Sequence, residues 1–166
     1  MTRSVAVTLA LAALMLAGCG DSTGDDVRHE VPGGSIQTEG TGEDATTVVR
    51  TDDGSEAVIA TGSEAAASTG PVFSRPYPGS RVVSSVTSAT ENAGLVTFET
   101  DAQADTIIAY YRERVEEAEL TPRADMTMNG TRHFGAESNA GGEFNVVITP
   151  QDDRSVVTVS WQGIPG

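Results

Sequence analysis

Between Ala104 and Ala118 the apolar residues change period. Ala104, Ile107, Ile108, Tyr111, Val115 and Ala118 recur at steps of three and four, one stripe of an α-helix. On either side they alternate instead, as half-buried strands do: Val96 and Phe98 before, then Phe144, Val146 and Ile148, then Val157, Val159 and Trp161. A helix with one apolar stripe and a sheet with one apolar face can bury both only against each other. The expected fold class is therefore α+β. It is a small antiparallel sheet with one amphipathic helix packed on one face, ordered β-β-α-β-β-β-β over residues 71–166 and preceded by a disordered linker.

Local signals punctuate that pattern. Thr100 and Gln103 have the spacing of a capping box, and Pro122 stops the helix. Asn129-Gly130 between two short runs is the strongest short hairpin signal, and "QDDR" turns the chain before the last strand. "PVFSRPYPGS" carries Pro71, Pro76 and Pro78, which forbid a helix and predict an extended lead-in with Tyr77 packed between two prolines.

Upstream the composition shifts. Every aromatic residue lies after position 70, while residues 20–70 carry eleven acidic residues against Arg28 and Arg50. Glycine, serine and threonine supply 22 of those 51 positions. Such a segment buries too little apolar surface to offset the entropy of ordering, so residues 19–45 read as a disordered acidic tether. Residues 46–70 read as a docking hairpin or more linker, because "TTVVRTDDGSEAVIATG" places two β-prone runs around Asp52-Asp53-Gly54-Ser55. An isolated hairpin is marginal in water, so this one needs a surface to dock on.

The sole cysteine stands at the end of an apolar N-terminal run. Arg3 is followed by an uncharged run of 12 residues from Val5 to Leu16, the layout of a secretory signal peptide and shorter than the roughly 20 residues a membrane span needs. Leu16-Ala17-Gly18-Cys19 resembles the lipobox of bacterial lipoproteins. The resemblance implies a signal peptide over residues 1–18, cleavage before Cys19, and lipidation of Cys19 by diacylglycerol and an acyl chain, enough to anchor the chain stably. Partners would then be the membrane, through lipidated Cys19, and an envelope protein or the cell wall. Gly20 follows the cysteine where aspartate favours inner-membrane retention. The expected location is therefore the cell envelope at the periplasmic face of the outer membrane, with the inner membrane left open.

A second resemblance covers residues 46–166. "PYPGSRVVSS", then "VTFETDAQADTIIAYYRERVEEAEL", is similar to bacterial lipoprotein modules that begin with a YPGA-like motif. In these a strand ending in T-x-D leads into a helix ending near "YYR…AG". "RTDDGSEAVIATG" resembles the acidic stretch that often precedes them. Ser80 replaces the motif's alanine, and Glu119 stands where the helix-ending glycine is usual. The motifs are structural and imply no activity.

Chemistry is scarce. The chain has no lysine, and a formal charge of −14 with no basic stripe excludes nucleic-acid binding. No cysteine remains after Cys19 for a disulfide, thiolate nucleophile or metal site. His133 lacks partners at the spacing of a metal site or triad, and His29 sits in the expected tether. Glu113, Glu116, Glu117 and Glu119 read as a solvated helix face and Asp152-Asp153 as a turn, while Ser84, Ser85 and Ser88 form no nucleophile elbow. No catalytic residue, metal or cofactor is expected. The candidate recognition residues are the aromatics and arginines Tyr77, Arg75, Arg81, Tyr110 and Trp161. The reading is a membrane-anchored, non-enzymatic binding or scaffolding module. The alternative is a carrier of a small apolar ligand held between helix and sheet, decided by whether bulky side chains fill that space. A cell-wall-acting enzyme comes third.

Overall fold

The computed structural model describes residues 27–41, 44–62, 65 and 70–164. Cys19 and the leader lie outside the described residues. The elements are β1 (Val27–Val31), β2 (Gly34–Thr41), β3 (Asp44–Thr51), β4 (Glu56–Thr61), a 3-10 turn (Val72–Ser74), β5 (Arg81–Ser88), β6 (Ala93–Thr100), α1 (Ala104–Glu117), β7 (Thr121–Met128), β8 (Thr131–Glu137), β9 (Glu143–Gln151) and β10 (Arg154–Gln162). All ten strands form one sheet, ordered β1-β2-β3-β4-β5-β6-β10-β9-β8-β7. Every pairing is antiparallel. Asn129 (φ 51°) and Gly130 (φ 81°) are both left-handed, as the tight turn that best matches strand twist requires.

The stripe of α1 lies on one face. Ile107, Ile108, Tyr111 and Val115 are buried, and they share one core with Phe98 of β6, Val157 and Val159 of β10, Phe144, Val146 and Ile148 of β9, and Phe134 of β8. Ion pairs close the edge of this layer. Arg112 of α1 and Arg132 of β8 both bond Asp125 of β7, the latter at 2.8 Å. Burial works against ionisation of Asp125, but the two guanidiniums outweigh it and hold its carboxyl below the ordinary range.

Two expectations about the fold are corrected. The sheet is not small: β5 to β10 are six strands of a ten-stranded sheet. Nor is the segment before it a disordered linker, because the described residues from 27 to 62 supply β1 to β4. The composition argument assumed that a segment must bury a core of its own. These strands instead extend a sheet that α1 already stabilises. β4 pairs with β5 through Ile59 and Val86, and β3, β2 and β1 add in turn. The turn between β3 and β4 is held locally by Asp53, whose carboxylate accepts from the Ser55 amide at 3.0 Å and from the Thr51 hydroxyl at 2.5 Å. The sheet passes the expected boundary near residue 70 without a break.

The helix ends also differ from expectation. Gln103 is the N-cap but makes no side-chain capping bond. Thr100 Oγ1 instead accepts from the Ala102 amide at 3.3 Å, so no capping box forms. At the other end the Leu120 amide bonds the Val115 carbonyl at 2.9 Å and the Glu119 amide the Glu116 carbonyl at 3.0 Å. That is the closing pattern in which glycine usually supplies the left-handed residue. Here Glu119 takes it, at φ 56°. Glu119→Gly is expected to raise the unfolding free energy by about 1 kcal/mol by removing the Cβ penalty. A urea titration of the variant against wild type measures it.

Candidate functional site

At one end of the helix–sheet layer, Trp161 faces Gly94 of β6 and Phe144 of β9 in register. Two glycines approach the same edge of the indole. A Cβ on Gly94 would sit 2.3 Å from Trp161 Cζ2 and 2.8 Å from the Val86 carbonyl oxygen, and one on Gly70 would sit 2.6 Å from Trp161 Cη2. The ring is only 5% exposed. The ring also forms part of the wall of an open groove of about 380 Å³. Pro71, Val72, Ala89, Ala93 and Ile164 make up the apolar part of the lining, with Thr87, Ser88 and Asn92 as polar groups. This lies at the lower end of the roughly 300–1,000 Å³ range typical of ligand sites.

The proline-rich lead-in is clamped so that Pro71 and Val72 form the groove wall. Tyr111 donates its hydroxyl to the Arg75 carbonyl at 3.0 Å and Tyr110 to the Pro76 carbonyl at 3.2 Å. Tyr77 meets Tyr110 edge-on at 5.3 Å, the Arg114 guanidinium lies 4.4 Å from the Tyr110 ring centre, and Phe73 meets Phe144 edge-on at 5.5 Å. Arg114 also donates to the Val72 carbonyl at 3.4 Å. Burial pushes the Tyr111 phenol far above its ordinary value, so the group stays a neutral donor.

The five candidate recognition residues do not converge. Tyr77, Tyr110 and the Arg75 backbone belong to the clamp, with Tyr77 edge-on to Tyr110. Trp161 is a groove wall with most of its surface in the core. Arg81 lies at the opposite end of β5, where it and Arg154 bond Glu99 at 2.8 and 2.9 Å. Those bonds, Arg81 first, hold the Glu99 carboxyl below its ordinary value. The lipidation residue, Cys19, is outside the described residues. Glu113, Glu116, Glu117 and Glu119 are exposed, as a solvated helix face would be. His133 pairs with Met126 and Val147 on the face away from α1. Among the described residues no group of three or more His, Cys, Asp or Glu is placed to hold a metal. No helix among them is long and apolar enough to cross a membrane.

The layer between helix and sheet is occupied. Tyr111, Phe98, Phe134, Phe144, Ile107 and Ile148 are each at most 2% exposed within it, so bulky side chains fill the space a ligand would need. A family model described as START domain-like matches residues 81–155. That stretch is less than half of the chain and runs from the first residue of β5 into β10, leaving out β1 to β4. A helix gripped by an antiparallel sheet resembles a START-like layout. No curated protein and no solved structure matches the chain.

Thr87, Ser88, Ala89, Asn92 and Ala93 of the groove fall inside the matched stretch. Sequence reasoning missed them and Gly94. Its only signal was Trp161, and no linear spacing says that Gly94 lies opposite it.

Proposed function

We propose that this chain is a non-catalytic module that binds a small apolar or amphipathic ligand in the groove beside Trp161. The observation that carries the reading is the groove itself: an open groove lined by apolar residues with a few polar groups, at the end of a filled layer. The START domain-like match over residues 81–155 supports ligand binding. The ligand would lie at the end of the layer rather than inside it, because aromatic and branched side chains occupy the interior. Cys19, lipidated as its lipobox-like context implies, would hold the module at the envelope membrane, within reach of apolar molecules there. The support for that anchor is the sequence from Arg3 to Gly20 alone.

The test uses the full chain and N-phenyl-1-naphthylamine, an apolar fluorophore. The expected result is saturable binding with energy transfer from Trp161, the only tryptophan. Val72 is 56% exposed on the groove wall, and a change at so exposed a position usually moves stability by less than about 0.5 kcal/mol. Val72→Glu should therefore weaken binding at least about tenfold, through a charge placed against the ligand, without unfolding the protein. Absence of saturable binding by the folded chain, or equal binding by the variant, overturns the assignment.

A further inference from the structure

We infer that the sheet face turned away from α1 is the interface of a homodimer, in which two copies of this chain pack sheet to sheet. This does not rest on ligand binding in the groove: Trp161 stands on the other face, and Ser88 and Ala93, at the strand ends, border both.

The first observation is the placement of charge. One register row crosses all ten strands on that outer face, from Val27 through Thr47, Ile59, Leu95 and Asn145 to Ala124, without a single Asp, Glu or Arg. The adjoining row runs from Thr61 through Ser84, Thr97, Thr158 and Val147 to His133 and Met126, again with none. Yet the chain carries 24 acidic residues and a net charge of −14. On β2 to β4 the charged side chains stand on the opposite face, where Glu39, Arg50 and Glu56 alternate with the uncharged set. A sheet face that meets only water normally takes the polar and charged half of the alternation. Depletion of charge is instead the mark of an interface centre.

The second observation is shape. Ile59, Val86 and Leu95 pair directly across β4, β5 and β6, the middle of the ten-strand order, and are 37–39% exposed. They form a ridge. Two residues along each strand, on the same face, the side chains are small: Thr61, Ser84 and Thr97 to one side, Ala57, Ser88 and Ala93 to the other. A ridge bordered by furrows is self-complementary: about a two-fold axis, the ridge of one copy enters a furrow of the other. Sheets pack face to face in this way about 10 Å apart.

Size fits a second copy, and the uncharged rows permit one. Ten strands at about 4.8 Å, over about 20 Å of strand length (three rows, the third charged at Glu137 and Glu143), offer about 960 Å² of face. A standard stable interface takes about 800 Å² from each partner. Two chains of −14 repel each other, so close contact between copies needs a centre free of charge, as these rows are, with Arg81, Glu99, Arg154, Glu137 and Glu143 of the same face kept to its margins. The remaining repulsion is long-range and screened, so salt should strengthen the dimer.

Sedimentation equilibrium of the full chain tests this. The expected result is a two-copy mass at micromolar concentration, with tighter association at higher ionic strength. Leu95→Glu and Val86→Lys should each weaken it at least about tenfold, because a charge is desolvated at the centre of the contact. Met126→Glu, at a 49% exposed position of the same face, should weaken it too and guards against the first two failing to fold. Val72→Glu, on the other face, should leave the association unchanged. A one-copy mass throughout overturns the proposal. So does a dimer indifferent to all three outer-face changes, or a monomer that uses this face to bind neutral phosphatidylcholine vesicles.

Discussion

Trp161→Ala is expected to lower the unfolding free energy by about 3–5 kcal/mol, the usual range for removing a buried tryptophan. The indole is 5% exposed and shares its core with Phe144 and the α1 stripe. The two close glycines leave a cavity that their backbones cannot fill by side-chain movement. A domain of this size has only about 5–15 kcal/mol in hand, so the variant should be largely unfolded at moderate urea. Urea titration by far-UV circular dichroism measures the loss. In the wild type, Trp161 emission should be blue-shifted and shielded from acrylamide. A variant that melts like wild type would place the indole outside the core.

Gly94→Val should be comparably damaging, for the opposite reason. The added Cβ would lie 2.3 Å from Trp161 and 2.8 Å from the Val86 carbonyl oxygen. Gly70 also packs against the same edge of the indole, and the carbonyl belongs to β5, paired with β6, so neither can yield cheaply. Overpacking of this kind costs about 3 kcal/mol. Because both effects act through one contact, they should not add. In the Trp161→Ala background the cavity accepts the new side chain, and Gly94→Val should cost much less or recover stability. Strict additivity in that double-mutant cycle would show that indole and glycine are not packed as described.

How much of this was legible in the chain depends on the range of the interaction. Periodicity is local, and it was sufficient to place α1 and the buried faces of β6, β9 and β10. Side-chain direction follows from a period of 3.6 or 2, and apolar stripes must find one another. Asn129-Gly130 and Asp52 to Ser55 marked their turns because left-handed backbone and Asx bonding are properties of a few adjacent residues. Pairing is not local. Whether residues 27–62 join a sheet depended on the free edge of β5, so a composition without aromatics, enough to deny them their own core, was misleading. The capping box failed similarly: Thr100 and Gln103 had the spacing, but β6 runs on through Thr100 and the helix starts at Ala104. Of the candidate site, only Trp161 was visible. Tyr77, Tyr110 and Arg75 looked available for recognition because aromatics and arginines often are, and the fold uses them to fasten the lead-in against α1. The groove exists because register brings Gly94 to Trp161 and the Tyr111 hydroxyl draws Arg75, and with it Val72, onto the helix. Those contacts span tens of residues. The sequence by itself determined which faces are apolar and where the chain turns, since both are set by neighbouring side chains. Only the tertiary structure decided how wide the sheet is, which glycine meets the tryptophan, and where the core ends in an open groove.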